Sequence, residues 1–70
     1  MTPESIRATL REAGLTQLRF ALLCGMTHHT LSRVMRGLQP VPARVVIMAR
    51  LVAALHRRRW LARILEEIGV

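Results

Sequence analysis

Cysteine and acidic residues are scarce in this 70-residue chain, and each scarcity excludes a class of structure. Cys24 is the single cysteine, so no internal disulfide can form and too few thiolate ligands exist for a structural zinc site. Aspartate is absent, and neither a catalytic pair of carboxylates nor a glycine-rich phosphate loop is present. The sequence therefore predicts a protein that is not an enzyme and that requires no cofactor and no metal.

A long hydrophobic run is also missing. The longest apolar stretch, Val45–Leu55, is interrupted by Arg50 and falls far short of the ~20 residues that span a bilayer. The first residues do not combine a basic segment with an apolar one, as a secretion signal would. We therefore expect a cytoplasmic protein that does not act at a membrane.

Positive charge is what the chain has in excess. The net charge is +7, with 11 arginines and no lysine. Two of the four acidic residues, Glu66 and Glu67, stand near the end, so residues 1–65 carry a charge of +9. Such an excess is typical of proteins that bind a polyanion.

Glycine and proline divide the chain into five predicted helices, since no strand-like alternation of apolar residues is found. Threonine is a good N-cap and glycine a good helix terminator. Each of the first three predicted helices follows a threonine and ends at a glycine: Thr2 and Gly14, Thr16 and Gly25, Thr27 and Gly37. The third helix is predicted to run to Arg36.

A fourth helix is predicted over about 42–56 after the two prolines of the "LQPVPA" loop. This helix is apolar on nearly all sides, so we expect it to be covered on all sides. After the "HRRR" at 56–59, Trp60 begins a fifth amphipathic stretch. The two helices can be separate or continuous, because neither glycine nor proline lies between residues 43 and 68.

The second and third predicted helices are short and are joined by Gly25-Met26-Thr27, an arrangement typical of a helix-turn-helix. From Gln17 to Arg36 the sequence resembles the phage repressor and Cro-like helix-turn-helix class, with Gln17, Ala21, Gly25 and Thr27 at the matching positions. The resemblance covers about residues 3–52 and implies an all-α, lambda-repressor-like bundle. Leu10 and Met35 stand where many members of the class have an ion pair.

This resemblance implies a sequence-specific transcriptional regulator that binds double-stranded DNA through the major groove, most simply a small dimeric repressor of a palindromic operator. It places the base-reading residues at the start and outer face of the third helix: Thr27, His28, His29, Ser32 and Arg33. The residues expected to contact backbone phosphates are Gln17, Arg19, Arg36, Gln39 and Arg44. Among the base-reading residues, Arg33 is expected to contribute most, because arginine can pair with guanine through two hydrogen bonds.

A chain of this length buries only ~60% of its unfolded surface, so we expect a homodimer. The whole of 1–70 is predicted to be one domain whose segment 42–70 also supplies the dimer interface, through Val46, Ile47, Leu51, Ala54, Leu55, Trp60, Leu61, Ile64 and Leu65. An antitoxin or another protein-binding module, whose last two helices cover a protein partner, is the alternative.

The histidines and the single cysteine are not expected to form a metal or catalytic site. Adjacent histidines on a helix point about 100° apart, and no cysteine or carboxylate lies four residues further on, so His28 and His29 are not expected to bind a metal. Cys24 is interpreted as a small core residue.

Overall fold

The computed structural model describes all residues from 1 to 70 and contains no β-strand. Five helices are present: α1 (Pro3–Ala13), α2 (Gln17–Cys24), α3 (His28–Met35), α4 (Ala43–Arg57) and α5 (Leu61–Ile68). The predicted all-α class and the number of helices are therefore confirmed. None of these helices combines the length and the apolar character needed to cross a bilayer.

The three predicted threonine caps are confirmed. Thr2, Thr16 and Thr27 have extended backbones, and the Oγ1 of each accepts a hydrogen bond from the backbone N–H three residues later, at 3.1–3.2 Å. Each bond satisfies one of the N–H groups that the first turn of a helix leaves unpaired. The helix boundaries lie within one residue of those expected, since α3 ends at Met35 and α4 runs from 43 to 57.

All five helices end in the same pair of backbone hydrogen bonds. A residue in the left-handed conformation donates to the carbonyl three residues earlier, and the next residue donates to the carbonyl five residues earlier, which is the Schellman motif. Four of the left-handed residues are glycines: Gly14, Gly25, Gly37 and Gly69. The fifth is Arg59, with φ of 60°, and it separates α4 from α5.

Arg59→Gly is expected to stabilise the fold by about 0.5–1 kcal/mol. A residue with a Cβ loses roughly 1–2 kcal/mol in the left-handed conformation, and the greater freedom of glycine in the unfolded chain offsets part of that gain. Arg58→Gly is the matched control, because Arg58 has φ of −88° and gains nothing from losing its side chain. Thermal unfolding should show a higher melting temperature for the first variant and a lower one for the second. Equal melting temperatures would contradict the left-handed assignment.

One hydrophobic core joins the five helices. It contains 15 buried side chains, all apolar or cysteine, and no buried polar or charged group. The principal contacts are α1 with α4 and α2 with α3, while α5 packs against α4. Phe20 on α2 and Leu31 and Val34 on α3 are fully buried, so the position of α3 is fixed by the centre of the core.

The prediction that α4 is covered on all sides fails within the single chain. Val45, Ala49 and Val52 face the core, but Ile47 is 60% exposed and Leu51 is 47% exposed. α4 packs against α1, α2 and α5, and these neighbours cover only part of its circumference. The uncovered part is a hydrophobic surface on the outside of the molecule.

Two residues expected at the dimer interface lie in the core instead. Leu61 and Leu65 are only 5% and 7% exposed and attach α5 to the bundle. A side chain already covered by its own chain has little surface left for a second one, so these two assignments are corrected. The other seven proposed interface residues retain partial or full exposure: Val46, Ile47, Leu51, Ala54, Leu55, Trp60 and Ile64.

Candidate nucleic-acid interface

The turn between α2 and α3 is short and anchored at both ends. Gly25 adopts φ of 69°, a conformation open to glycine without strain. The N–H of Met26 then donates to the carbonyl of Ala21 at 3.0 Å, and the Met26 side chain is buried. Ala21 itself is 1% exposed, so a larger side chain there would meet packed neighbours. The sequence signals at positions 21 and 25 thus correspond to a fixed junction between the two helices.

The two faces of α3 differ sharply in chemistry. Its inner face consists of Leu31, Val34 and Met35, all in the core. Its outer face carries His28, His29 and Arg33, which are exposed, and Ser32, which is half-buried. Four of the five predicted base-reading side chains therefore lie together on one accessible helical face, and every one of them can donate a hydrogen bond.

Thr27 has a different position from the other four. Its Oγ1 accepts the capping hydrogen bond from the N–H of Thr30 and lies 2.8 Å from the Thr30 hydroxyl. Because its hydroxyl is engaged in starting α3, its free surface is largely the methyl group. A methyl group can contact the thymine methyl in the major groove, so a base contact by Thr27 would be apolar.

Arg7 holds the end of α3, a role that sequence reasoning missed. Its Nη2 donates to the backbone carbonyl of Met35 at 2.7 Å. A positive charge is favourable at this point because the last carbonyls of a helix carry partial negative charge. Leu10 and Met35, the apolar pair noted in the sequence, are both buried. The only available signal for Arg7 was its position one turn before Leu10.

Four of the five predicted phosphate contacts have accessible polar groups around α2 and α3. Arg36 is exposed and caps the end of α3, and Arg44 is exposed at the start of α4. Gln17, the first residue of α2, and Gln39, in the following loop, are half-buried. Each side chain offers N–H donors of the kind that bind phosphate oxygens.

The fifth, Arg19, is engaged within the chain. Its Nη2 donates to the carbonyl of Val70 at 2.9 Å, and the residue is half-buried. This bond joins the start of α2 to the end of α5 across 51 positions of sequence. Arginine has five N–H donors, so others remain available, but the side chain is held toward α5. Arg19 is therefore less available to a DNA phosphate than the other four residues expected to contact the backbone.

The one cysteine of the chain, Cys24, belongs to the core and not to the outer face of α3. Burial raises the pKa of the Cys24 thiol, and the charge of Arg44 lowers it by a smaller amount, so the thiol is neutral at pH 7. Cys24 lies in the core, which confirms its interpretation as a packing residue. No group of three or more histidine, cysteine, aspartate or glutamate side chains is placed to hold a metal ion. The chemistry available on the outer face of α3 is hydrogen-bond donation and positive charge.

A hydrophobic groove lies between α4 and α5, away from the polar face of α3. Its volume is about 260 Å³ and all nine residues that line it are hydrophobic. Leu51 and Ile68, both exposed, contribute to its wall, and Ile64 and Leu55 are half-buried in it.

Comparison of the chain with protein-family models, curated proteins and solved structures finds no match.

Proposed function

We propose that α2 and α3 form a lambda-repressor-like helix-turn-helix and that the protein is a sequence-specific DNA-binding regulator. In this proposal it acts in the cytoplasm as a small dimeric repressor of a palindromic operator. The observation that carries the proposal is the two-sided character of α3. Its inner residues are buried in the centre of the core, which leaves His28, His29, Ser32 and Arg33 together on the outside.

The dimensions of α3 suit the major groove of B-DNA. Eight helical residues extend for about 12 Å, and a helix with its side chains is roughly 10–12 Å across. The groove is about 12 Å wide, so the helix can enter it end-on with its first turn against the bases. His28 and His29 stand in that first turn, and Arg33 stands on the next. Their N–H groups match the N7 and O6 acceptors of guanine.

The charge distribution supports a duplex as the partner. Between residues 13 and 65 every charged side chain is an arginine, so α2, α3 and the loop after them contain no carboxylate that would repel phosphate. Arg36 and Arg44 flank α3 and are exposed. Each phosphate neutralised by such a side chain contributes about 0.9 to the slope of log K against log salt concentration.

The uncovered surface of α4 supports the dimer. Ile47 and Leu51 are exposed beside a groove lined entirely by hydrophobic residues. A second copy that packs on this surface in two-fold symmetry would cover both features at once. The proposed interface is the predicted one without Leu61 and Leu65, and the two copies of α3 should then contact half-sites about 34 Å apart.

Arg33→Ala tests the reading face. Loss of a two-bond contact to guanine is expected to cost about 1–3 kcal/mol, or roughly 5-fold to 150-fold in affinity, and to flatten the preference at one base pair. Arg63→Ala removes the same charge from α5 and should change selected and scrambled duplexes alike. The measurement is selection from a random duplex pool, followed by fluorescence anisotropy with selected and scrambled sequences.

Two results would contradict the proposed reading face. In one, the selection enriches no sequence even at low salt, so there is no specific duplex to read. In the other, Arg33→Ala and Arg63→Ala leave the same ratio between selected and scrambled affinities, so Arg33 contributes only charge.

A protein-binding module is the second candidate, favoured by the same hydrophobic groove and by the exposure of Ile47 and Leu51. In that case α4 and α5 would be covered by a different protein rather than by a second copy. A DNA reader loses affinity steeply with salt, whereas an apolar interface is largely insensitive to it. If Arg33→Ala abolishes binding to duplexes and substitutions in the groove do not, the result would favour a protein that recognises DNA without forming a dimer.

A further inference from the structure

A second cavity adjoins the groove between α4 and α5, and Leu61 and Leu65 line both. It has a volume of about 510 Å³ and lies between the end of α1, the start of α2 and the turn that joins α4 to α5. Its apolar lining includes Ala13, Leu61 and Leu65. Three basic side chains also line it, Arg19, His56 and Arg59, against the carboxylate of Glu66 and the main-chain oxygen of Val70, which Arg19 already binds. This size and mixture are typical of pockets that hold a small organic molecule.

The three basic side chains converge from separate elements. Arg19 comes from α2, His56 from the last turn of α4, and Arg59 from the turn after it. Arg19 is fixed in the wall by its bond to the carbonyl of Val70. None of the nine side-chain hydrogen bonds in the protein involves His56 or Arg59. Their donors are therefore free to meet a ligand.

The backbone of Arg59 is the second, independent observation. The four other helices end on a glycine in the left-handed conformation, whereas this turn uses an arginine at φ of 60°. Non-glycine residues in sparsely populated backbone conformations are concentrated at binding and active sites, where the side chain has a use that offsets the strain. Here the strained residue is also one of the cationic residues in the cavity wall.

We propose that this cavity binds a small organic anion, in which a carboxylate or phosphate group is carried on an apolar body. The guanidinium groups and the imidazole would meet the anionic group, because planar N–H donors bind such oxygens in pairs. The apolar lining would cover the body of the ligand. No residue of α3 lines the cavity, and of the residues that line the groove between α4 and α5 it shares only Leu61 and Leu65, so the proposal does not depend on the proposed DNA-binding function.

The test uses three probes on the full chain, followed by two-dimensional NMR. Phenyl phosphate has both the anionic group and the apolar body, inorganic phosphate lacks the body, and benzyl alcohol lacks the charge. Phenyl phosphate is expected to bind about tenfold more tightly than either of the others. Its chemical-shift changes should be confined to the neighbourhood of Ala13, Gly14 and Ala62, which line this cavity and not the groove. Duplex DNA is titrated separately.

Variants at position 59 separate binding from stability. Arg59→Gly is expected to weaken phenyl phosphate binding about tenfold while it raises the melting temperature by a few degrees. Arg59→Gln removes the charge but keeps a side chain on the left-handed backbone, so it should weaken binding without raising the melting temperature. Arg57→Ala, a neighbouring arginine outside the cavity, should leave binding unchanged.

Several outcomes would overturn the proposal. Chemical-shift changes spread over the exposed arginines would mean that phenyl phosphate pairs with positive charge in general and not with this cavity. Equal binding of inorganic phosphate would mean that the apolar lining of the cavity contributes nothing to binding. Unchanged binding of phenyl phosphate in Arg59→Gln would show that the charge of Arg59, on which the inference rests, does not contribute to binding. If only the duplex moves the cavity signals, the cavity holds a backbone phosphate of DNA. A failure to bind duplex would leave the result with phenyl phosphate unaffected.

Discussion

Leu51→Arg is expected to convert the proposed dimer into a monomer and to weaken binding to a palindromic duplex by about 100-fold or more. Leu51 is 47% exposed in the single chain, so an arginine there can reach water and the monomer fold should survive. At the proposed two-fold interface each of the two copies would bring this arginine into the contact. Two like charges would then be held within an apolar contact.

The size of the effect follows from the coupling of the two half-sites. Fully covering a leucine side chain contributes about 1.5–3 kcal/mol, so covering the 47% of Leu51 that is exposed contributes roughly half of that, and in a symmetric dimer each substitution acts twice. Once the copies separate, each α3 binds one half-site alone, and the gain from simultaneous binding, typically 10²–10⁴-fold, is lost. Binding to a single half-site should change little, because α3 itself is untouched.

Sedimentation at tens of micromolar and anisotropy with full and half operators measure the two parts of this prediction. Leu22→Arg is the matched control for sedimentation: it places the same charge on an exposed leucine of α2 that does not line the groove. It should leave the dimer intact. A wild-type protein that sediments as a monomer at these concentrations would refute the dimer before any variant is made.

The first three helices were predictable because their ends are signalled by local chemistry. A threonine hydroxyl at the start and a glycine at the end act on backbone groups within a few residues, so the sequence alone contains the cause. The break between α4 and α5 uses the same Schellman motif, but the left-handed residue is Arg59. No residue type announces that turn, and the sequence left open whether the two helices were continuous.

Burial within the chain and burial between chains could not be separated from the sequence. Leu51, Leu61 and Leu65 all lie on apolar stretches, yet the latter two are in the core and Leu51 is not. The hydrophobic pattern gives the faces of a helix that avoid water, and it does not give the neighbour that covers each face. That neighbour depends on the direction in which α5 leaves the turn at residues 58–60.

Arg7 and Arg19 illustrate a further limit. Each donates a side-chain hydrogen bond to a distant main-chain oxygen, that of Met35 at the end of α3 and that of Val70 just after α5. Any arginine that reaches the negative end of a helix can make such a bond, so its partner is set by the packing of the helices rather than by a spacing in the chain. Sequence reasoning therefore treated Arg19 as a free cation and overlooked Arg7.

Phe20→Ala is expected to have the largest effect on stability, a loss of about 3–5 kcal/mol. Phe20 is fully buried on α2, and it is the only phenylalanine of the chain. A domain of this length has a total stability of roughly 3.5–10 kcal/mol, so the variant should be substantially unfolded at 37 °C. Leu22→Ala, two residues away on the same helix but 61% exposed, should change the stability by less than about 0.5 kcal/mol.

The same variant connects stability with function. A duplex that binds only the folded state, present at 100 times its dissociation constant, should restore about 2.7 kcal/mol. Circular dichroism of Phe20→Ala, with and without a selected duplex, should therefore show helix regained on addition of DNA, and a scrambled duplex should restore less. If the selected duplex leaves the unfolded fraction unchanged at that concentration, α3 is not the element that DNA stabilises. The helix-turn-helix assignment would then have to be abandoned even though the five-helix fold remained intact.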